Sequence, residues 1–198
     1  MDSSGSKFKS SKNQIPPINR DGSLLTRLLP IVIIGADQVL DKRGQLYFRL
    51  LCRLVDKSFD EYSTAKEYID QEIQTENRLE YRFNIINHLE NCINAISRAA
   101  KTLKSSTKGE NKLSEYMSKE SMEAVEKYDA SIVRNRVEHI DQDIQEGKFH
   151  GQLFLDVDDN YGKICINYKC VTFRDLASMI ESYHKAVLEI CNNLPKRA

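Results

Sequence analysis

The apolar positions between residues 77 and 103 recur every three or four residues. They are Leu79, Phe83, Ile86, Leu89, Ile93, Ile96, Ala100 and Leu103. A side chain returns to the same side of an α-helix at that interval, so this spacing is typical of a helix that buries one stripe. The pattern predicts a single long helix with one buried face.

The apolar positions that precede this stretch predict further helices. A first helical segment begins at Ser23, and Gly44 is expected to separate it from a second segment. A further helix is predicted next, through Ala65, Tyr68, Ile69 and Ile73. Before Ser23 the chain is rich in Ser, Lys, Asn and Pro, which predicts a leader over residues 1–22 that is flexible or lies extended on the surface.

Another helix is predicted over residues 129–146, because Asp129 or Ser131 is a suitable N-cap and Gly147 a suitable stop. Its apolar positions are Val133, Val137, Ile140 and Ile144. On a helical wheel of about 100° per residue these four positions share one face. We expect that face to be buried and the opposite face to be exposed.

The apolar period changes from about four to two after this helix. Leu153, Leu155 and Val157 alternate with other residues, which predicts a β-hairpin over residues 152–171. The acidic residues within it resemble the start of a calcium loop but lack the closing glutamate, so a turn is expected. A last helix is predicted from near Thr172.

These elements together predict the fold class. The chain is expected to be mainly α, an antiparallel helical bundle with one C-terminal β-hairpin inserted before the last helix. Residues 23–198 are expected to form a single domain, since 198 residues are enough for one domain of ordinary size.

The composition is typical of a globular protein and limits the kinds of partner that it is suited to bind. The chain has 29 Lys and Arg against 29 Asp and Glu, so its formal net charge is zero. A neutral chain is poorly suited to holding duplex nucleic acid through bulk charge, although a local site can still act on one phosphate. The polar start of the chain and the absence of a long apolar run predict a cytoplasmic protein without membrane contact.

The five cysteines are expected to be free thiols. Their number is odd, they are spread along the chain, and none belongs to a Cys-x-x-Cys pair. This distribution argues against a disulfide framework and against a zinc site. We therefore predict buried thiols, with no metal and no cofactor.

The face of the 129–146 helix opposite the apolar positions carries the candidate chemistry. Arg134, Asn135, Glu138 and His139 fall on that face of the wheel, and Asn135 and His139 are neighbours one turn apart. A histidine can act as general acid or base near neutral pH, and an arginine can stabilise charge on phosphate oxygens. An asparagine can position the phosphate or orient the imidazole. This set of groups suits cleavage of a phosphodiester.

The tight spacing of these residues distinguishes them from chance. An Arg followed five to seven positions later by a His is expected about 0.7 times at random in this composition, and Arg82 with His88 also satisfies it. The form Arg-Asn-x-x-x-His is expected only about 0.02 times. Arg134, Asn135 and His139 alone meet it.

At these residues the chain resembles the HEPN family of small helical proteins, whose hallmark is an Arg, a polar residue and a His late in a bundle. The resemblance implies a metal-independent ribonuclease that acts as a toxin or in phage defence. Arg134 and His139 would be catalytic and Asn135 supporting. The resemblance also implies a homodimer that brings two histidines to one active site, with RNA as substrate.

A second interpretation remains open. Some HEPN proteins lack ribonuclease activity, so the chain is alternatively a catalytically silent helical module. Such a module would bind itself or a partner, for example a nucleotidyltransferase antitoxin. Lys101, Lys104, Lys108 and Lys112 form a modest basic patch that would guide RNA only under the first interpretation.

Overall fold

The architecture is that of a computed structural model of the chain. The residues that the structure describes are 15–75, 78–106, 113–127, 134–135, 140–147, 155–158, 162–166 and 169–195. They form a mainly helical protein with a small antiparallel sheet before the last helix. The predicted fold class is therefore confirmed.

Two long helices, α2 (Lys42–Gln74) and α3 (Arg78–Ser106), pack against each other and form the largest helix pair. The predicted long helix corresponds to α3, and its buried stripe contains Ile85, Leu89 and Ile96. Phe83, which the periodicity places in that stripe, is 66% exposed. The prediction for Phe83 is wrong because, within the described part of the chain, no other element covers the side of α3 on which Phe83 lies.

The segment predicted after Gly44 and the helix predicted through Ala65 form the single helix α2, and Gly44 lies in its first turn. Asp41 caps this helix by accepting a hydrogen bond from the Gly44 amide. Phe48, Leu51 and the rest of one α2 face are fully buried. This buried face outweighs the small local penalty of a glycine near the end of the helix.

Helix α1 (Leu24–Ile33) lies antiparallel to the first half of α2. Its amino end contacts Asp56, whereas the 3₁₀ turn that follows it (Ala36–Val39) contacts Arg49 through Asp37. Gly35 has a φ of 69°, in the left-handed region that favours glycine, and this residue lets the chain reverse after α1.

The second part of the predicted leader is packed on the bundle. Ile15 is 3% exposed, and the Tyr62 hydroxyl donates a hydrogen bond to the Pro16 carbonyl. The Asn19 amide donates to a carboxylate oxygen of Glu181. Residues 15–22 therefore do not behave as a flexible leader, whereas residues 1–14 lie outside the described part of the chain.

The predicted hairpin is a three-stranded antiparallel sheet in the order β1 (Asp156–Val157), β2 (Lys163–Ile166) and β3 (Lys169–Thr172). Asp158 accepts hydrogen bonds from the amides of Gly162 and Lys163, as expected for a turn. The buried side chains Val157, Ile164 and Ile166 attach the sheet to the core.

Two short helices and one long helix complete the described elements. Helix α4 (Lys119–Glu126) follows a 3₁₀ turn at Leu113–Tyr116 and packs on the last helix, and α5 (Ile140–Gln145) precedes the sheet. The last helix, α6 (Phe173–Asn193), starts where the sequence predicts, and Thr172 is its N-cap. Its buried face meets α1, α2, α3 and α4 and so closes the core.

Two of the five cysteines form a disulfide, which corrects the prediction of free thiols. Cys165 and Cys170 are register partners on β2 and β3, and their Cα atoms are 4.1 Å apart. The other three, Cys52, Cys92 and Cys191, are buried free thiols as expected. Sequence spacing misses this pair because their proximity arises only from the strand register.

Arg82 connects the sheet to the bundle. Its guanidinium lies 3.0 Å from a carboxylate oxygen of Asp156 and 3.8 Å from Glu72 on α2, and it donates a hydrogen bond to the Val157 carbonyl. Glu72 is 5% exposed, so its carboxylate depends on this nearby cation. One side chain of α3 thus neutralises a buried charge and holds β1.

We expect Arg82→Ala to lower the free energy of unfolding by about 2 kcal/mol, because Glu72 would stay buried without its cation. Urea denaturation followed by circular dichroism measures this change. Lys119→Ala is the matched control, since Lys119 is 90% exposed and its ion pair with Glu123 lies in water. Equal midpoints for the two variants would contradict the anchoring role of Arg82.

Among the residues that the structure describes, no helix is both long and apolar enough to cross a membrane.

Candidate functional site

The predicted site residues Arg134 and Asn135 both have helical backbone, and they differ in exposure. Asn135 is exposed, as the wheel predicts. Arg134 is 9% exposed, so the prediction that it faces solvent is wrong. Ile144, predicted on the buried face of the same helix, is 50% exposed.

The wheel fails for Arg134 and Ile144 for a physical reason. It assigns angular positions about the helix axis but does not show which other element covers each turn. These two residues are about three turns apart in the predicted helix. The burial of Arg134 and the exposure of Ile144 therefore depend on which elements pack at each end of the predicted helix, and not on a single apolar face along its whole length.

His139 and Glu138 lie outside the described residues, as do Val133 and Val137. The described site is therefore the Arg134–Asn135 pair. Its buried guanidinium has a direct chemical consequence. A cation withdrawn from water acts on a nearby anion with less screening than a cation on the surface.

Arg82 and His88 form the other Arg–His pair at this spacing, and each makes its own structural contacts. Arg82 forms ion pairs with Glu72 and Asp156, whereas the His88 imidazole contacts Glu61 on α2. Six residues separate the two side chains on α3, which places them on different faces of that helix. This pair therefore does not form one site.

The Glu61–His88 contact is a polar pair that sequence patterns did not reveal. The His88 Nδ1 atom lies 2.6 Å from a Glu61 oxygen, and the imidazole stacks on Tyr68 at a centroid distance of 5.5 Å. A carboxylate at Nδ1 fixes the orientation of an imidazole, as in many acid–base sites. Only the packing of α3 against α2 brings together these residues, which are 27 positions apart.

A polar cavity of about 300 Å³ lies between α4 and α6. Its polar lining comprises Glu120, Ser121, Ser178, Glu181, Ser182 and Lys185. Neither Arg134 nor Asn135 contributes to it. Beside it the Ser118 amide and hydroxyl donate to Glu189, and hydrogen bonds from Ser121 and Ser118 hold the pKa of that carboxyl below its usual value.

The buried thiols suit packing and not nucleophilic chemistry. Burial raises the pKa of the Cys92 thiol, and a hydrogen bond with Cys191 together with burial raises that of Cys52. The same hydrogen bond lowers the pKa of Cys191. A reactive thiolate also needs access to its substrate, and all three thiols are enclosed in the core.

Two of the four lysines of the predicted basic patch lie in the described part of the chain. Lys101 and Lys104 are exposed on the last turns of α3, whereas Lys108 and Lys112 lie outside the described residues. Within the described ranges, no group of three or more His, Cys, Asp or Glu side chains is arranged to hold a metal ion.

Comparisons of the chain with models of protein families, with curated proteins and with solved structures gave no match.

Proposed function

We propose that this protein is a metal-independent RNA endonuclease of HEPN type, acting as a homodimer in toxin or phage-defence systems. The observation that carries the proposal is the Arg134-Asn135-x-x-x-His139 spacing, which chance composition rarely produces. The mainly helical fold is compatible with it, and Asn135 is exposed to a substrate.

The proposed chemistry assigns a separate task to each group. The RNA 2′-oxygen attacks the adjacent phosphorus and the bond to the 5′-oxygen breaks, so the strand is cut and a cyclic phosphate remains. One His139 removes the proton from the 2′-hydroxyl, and the His139 of a second copy donates a proton to the leaving oxygen. Arg134 stabilises the charge on the non-bridging oxygens.

A cleavage assay with purified protein tests this proposal. We expect a labelled single-stranded RNA to be cut equally with and without EDTA, because no metal is used. A matched strand with 2′-deoxyribose at every position is expected to stay intact, because it lacks the internal nucleophile. Cleavage that disappears in EDTA, or that extends to the deoxy strand, would disprove this mechanism.

The burial of Arg134 favours a second candidate function, a catalytically silent interaction module. An arginine that is 9% exposed can stabilise the fold, because its guanidinium can bind acceptors within the protein in place of a substrate. Under this alternative the protein acts by binding itself or another protein. RNA would remain uncut in the assay above, and the folded protein would still form its complex.

A further inference from the structure

A set of large aliphatic side chains is exposed on one corner of the fold, formed by α1, the 3₁₀ turn after it and the first turns of α2. The exposed fractions are 45% for Leu25, 62% for Leu29, 74% for Ile33, 48% for Ile34, 43% for Val39 and 61% for Leu46. We call these six residues the aliphatic corner. Because an apolar side chain exposed to water is unfavourable, a cluster of this kind marks an interaction site.

The packing of α1 on α2 places these residues on one surface. Leu25, Leu29 and Ile33 follow one another at intervals of four along α1 and form one stripe. The contact between Asp37 and Arg49 holds the 3₁₀ turn against α2, one turn from Leu46. Helix α1, the turn and α2 are therefore direct neighbours in the fold.

A basic rim borders the corner along the exposed face of α2. Lys42, Arg43 and Arg53 are exposed and surround Leu46 at helical spacing. Among the residues that the structure describes, no carboxylate forms an ion pair with these three side chains, and Arg43 only approaches the ring of Tyr47 at 6.0 Å. The rim therefore carries positive charge that is available to a partner.

The size of the corner matches one half of a specific protein interface. Its exposed aliphatic surface is on the order of 500 Å², near the upper end for patches on monomeric proteins. A standard interface buries about 800 Å² on each partner, and somewhat more than half of that area is apolar. The aliphatic corner and its rim together supply an area of this size.

We propose that the aliphatic corner binds an acidic amphipathic helix of another protein, with apolar side chains on the corner and carboxylates on the basic rim. A second copy is disfavoured, since a two-fold axis through the corner would bring like charges together. Aliphatic side chains offer no stacking surface to RNA bases, and the corner lacks the aromatic residues typical of membrane interfaces. This site is independent of Arg134 and holds under either function above.

The test uses a fluorescein-labelled helical peptide with leucines on one face and glutamates on the other. Two control peptides carry the same residues in scrambled order, or lysine in place of glutamate. We expect fluorescence anisotropy to show at least roughly tenfold tighter binding of the acidic amphipathic peptide than of either control. Equal binding of the scrambled peptide would reduce the effect to general charge attraction and overturn the proposal.

Matched variants test whether the peptide binds at the aliphatic corner. Ile33→Ser and Arg53→Glu are each expected to weaken binding about tenfold, whereas Phe83→Ser and Lys119→Glu, at equally exposed positions elsewhere, are expected to leave it unchanged. Circular dichroism confirms that all four variants remain folded. Equal weakening by the control variants would contradict a site at the corner.

The other occupants are tested directly with the same variants. Sedimentation velocity that shows a dimer lost in Ile33→Ser would assign the corner to a second copy. Co-flotation with vesicles of phosphatidylcholine and phosphatidylserine, lost in the same variant, would assign it to a membrane. Either result would overturn the proposed protein partner.

Discussion

His139→Ala is expected to lower the rate of RNA cleavage by about 10²- to 10⁴-fold, the usual effect of removing a general acid or base. In a homodimer the substitution removes both the base and the acid at each active site. The loss is therefore expected toward the upper end of that range. The rate is measured under single-turnover conditions with enzyme in excess, so that binding does not limit it.

His88→Ala is the matched control for this prediction. His88 is also a histidine within an Arg–His spacing, but it pairs with Glu61 on α2. We expect this variant to cleave RNA at nearly the normal rate once its folded fraction is confirmed. Equal activity of the wild-type protein and of both variants would trace the cleavage to a contaminant and leave His139 without a catalytic role.

Arg134 needs a readout that separates catalysis from stability, since its side chain is buried. Arg134→Lys keeps the positive charge but removes the planar fork that binds two phosphate oxygens. A catalytic Arg134 predicts a large loss of rate in this variant at nearly unchanged melting temperature. A lower melting temperature with normal cleavage by the folded fraction would instead make Arg134 a structural residue.

Asp56→Ala is expected to lower the free energy of unfolding by about 3–5 kcal/mol, the typical result of removing a buried charged partner. The Asp56 carboxylate is 3% exposed on α2 and accepts hydrogen bonds from the Ser23 hydroxyl and from the amides of Leu24 and Leu25. It therefore caps α1 from another helix. The variant would remove the acceptor of the Leu24 amide and would leave the Leu25 amide with the Ser23 hydroxyl oxygen alone.

Asp60→Ala is the control for Asp56. Asp60 lies one turn further along α2, forms an ion pair with Arg20 at 2.8 Å, and its side chain is 62% exposed. We expect this variant to lose less than about 1 kcal/mol, because the Asp60 carboxylate is mostly in water and Arg20 would still lie 3.8 Å from Asp56. Chemical denaturation gives both values. A loss as large as that of Asp56→Ala would show that the stability comes from the contact with Arg20 and not from the capping of α1.

Elements with strong local signals were predicted well from the sequence. The period of α3 and the start of α6 near Thr172 are properties of neighbouring residues, so the spacing of apolar positions reveals them. The alternating residues of the sheet gave its place between the helices. The third strand was not separated, because β2 and β3 together read as one continuous alternating run.

Features that depend on distant residues were not predicted. The exposure of Phe83 and the burial of Arg134 depend on which element covers each turn, and the Asp56 cap joins residues more than 30 positions apart. The Cys165–Cys170 bond depends on strand register. Periodicity identifies the residues that share a face, but only tertiary packing decides which face is covered.

Thr172 belongs to two elements at once. Its backbone is the register partner of Lys163 in the sheet, and its hydroxyl accepts a hydrogen bond from the Asp175 amide at the start of α6. The next amide, that of Phe173, donates to the Gly162 carbonyl. We therefore expect the strands and the opening turn of α6 to open as one cooperative unit, so that their amide hydrogens exchange with similar protection factors.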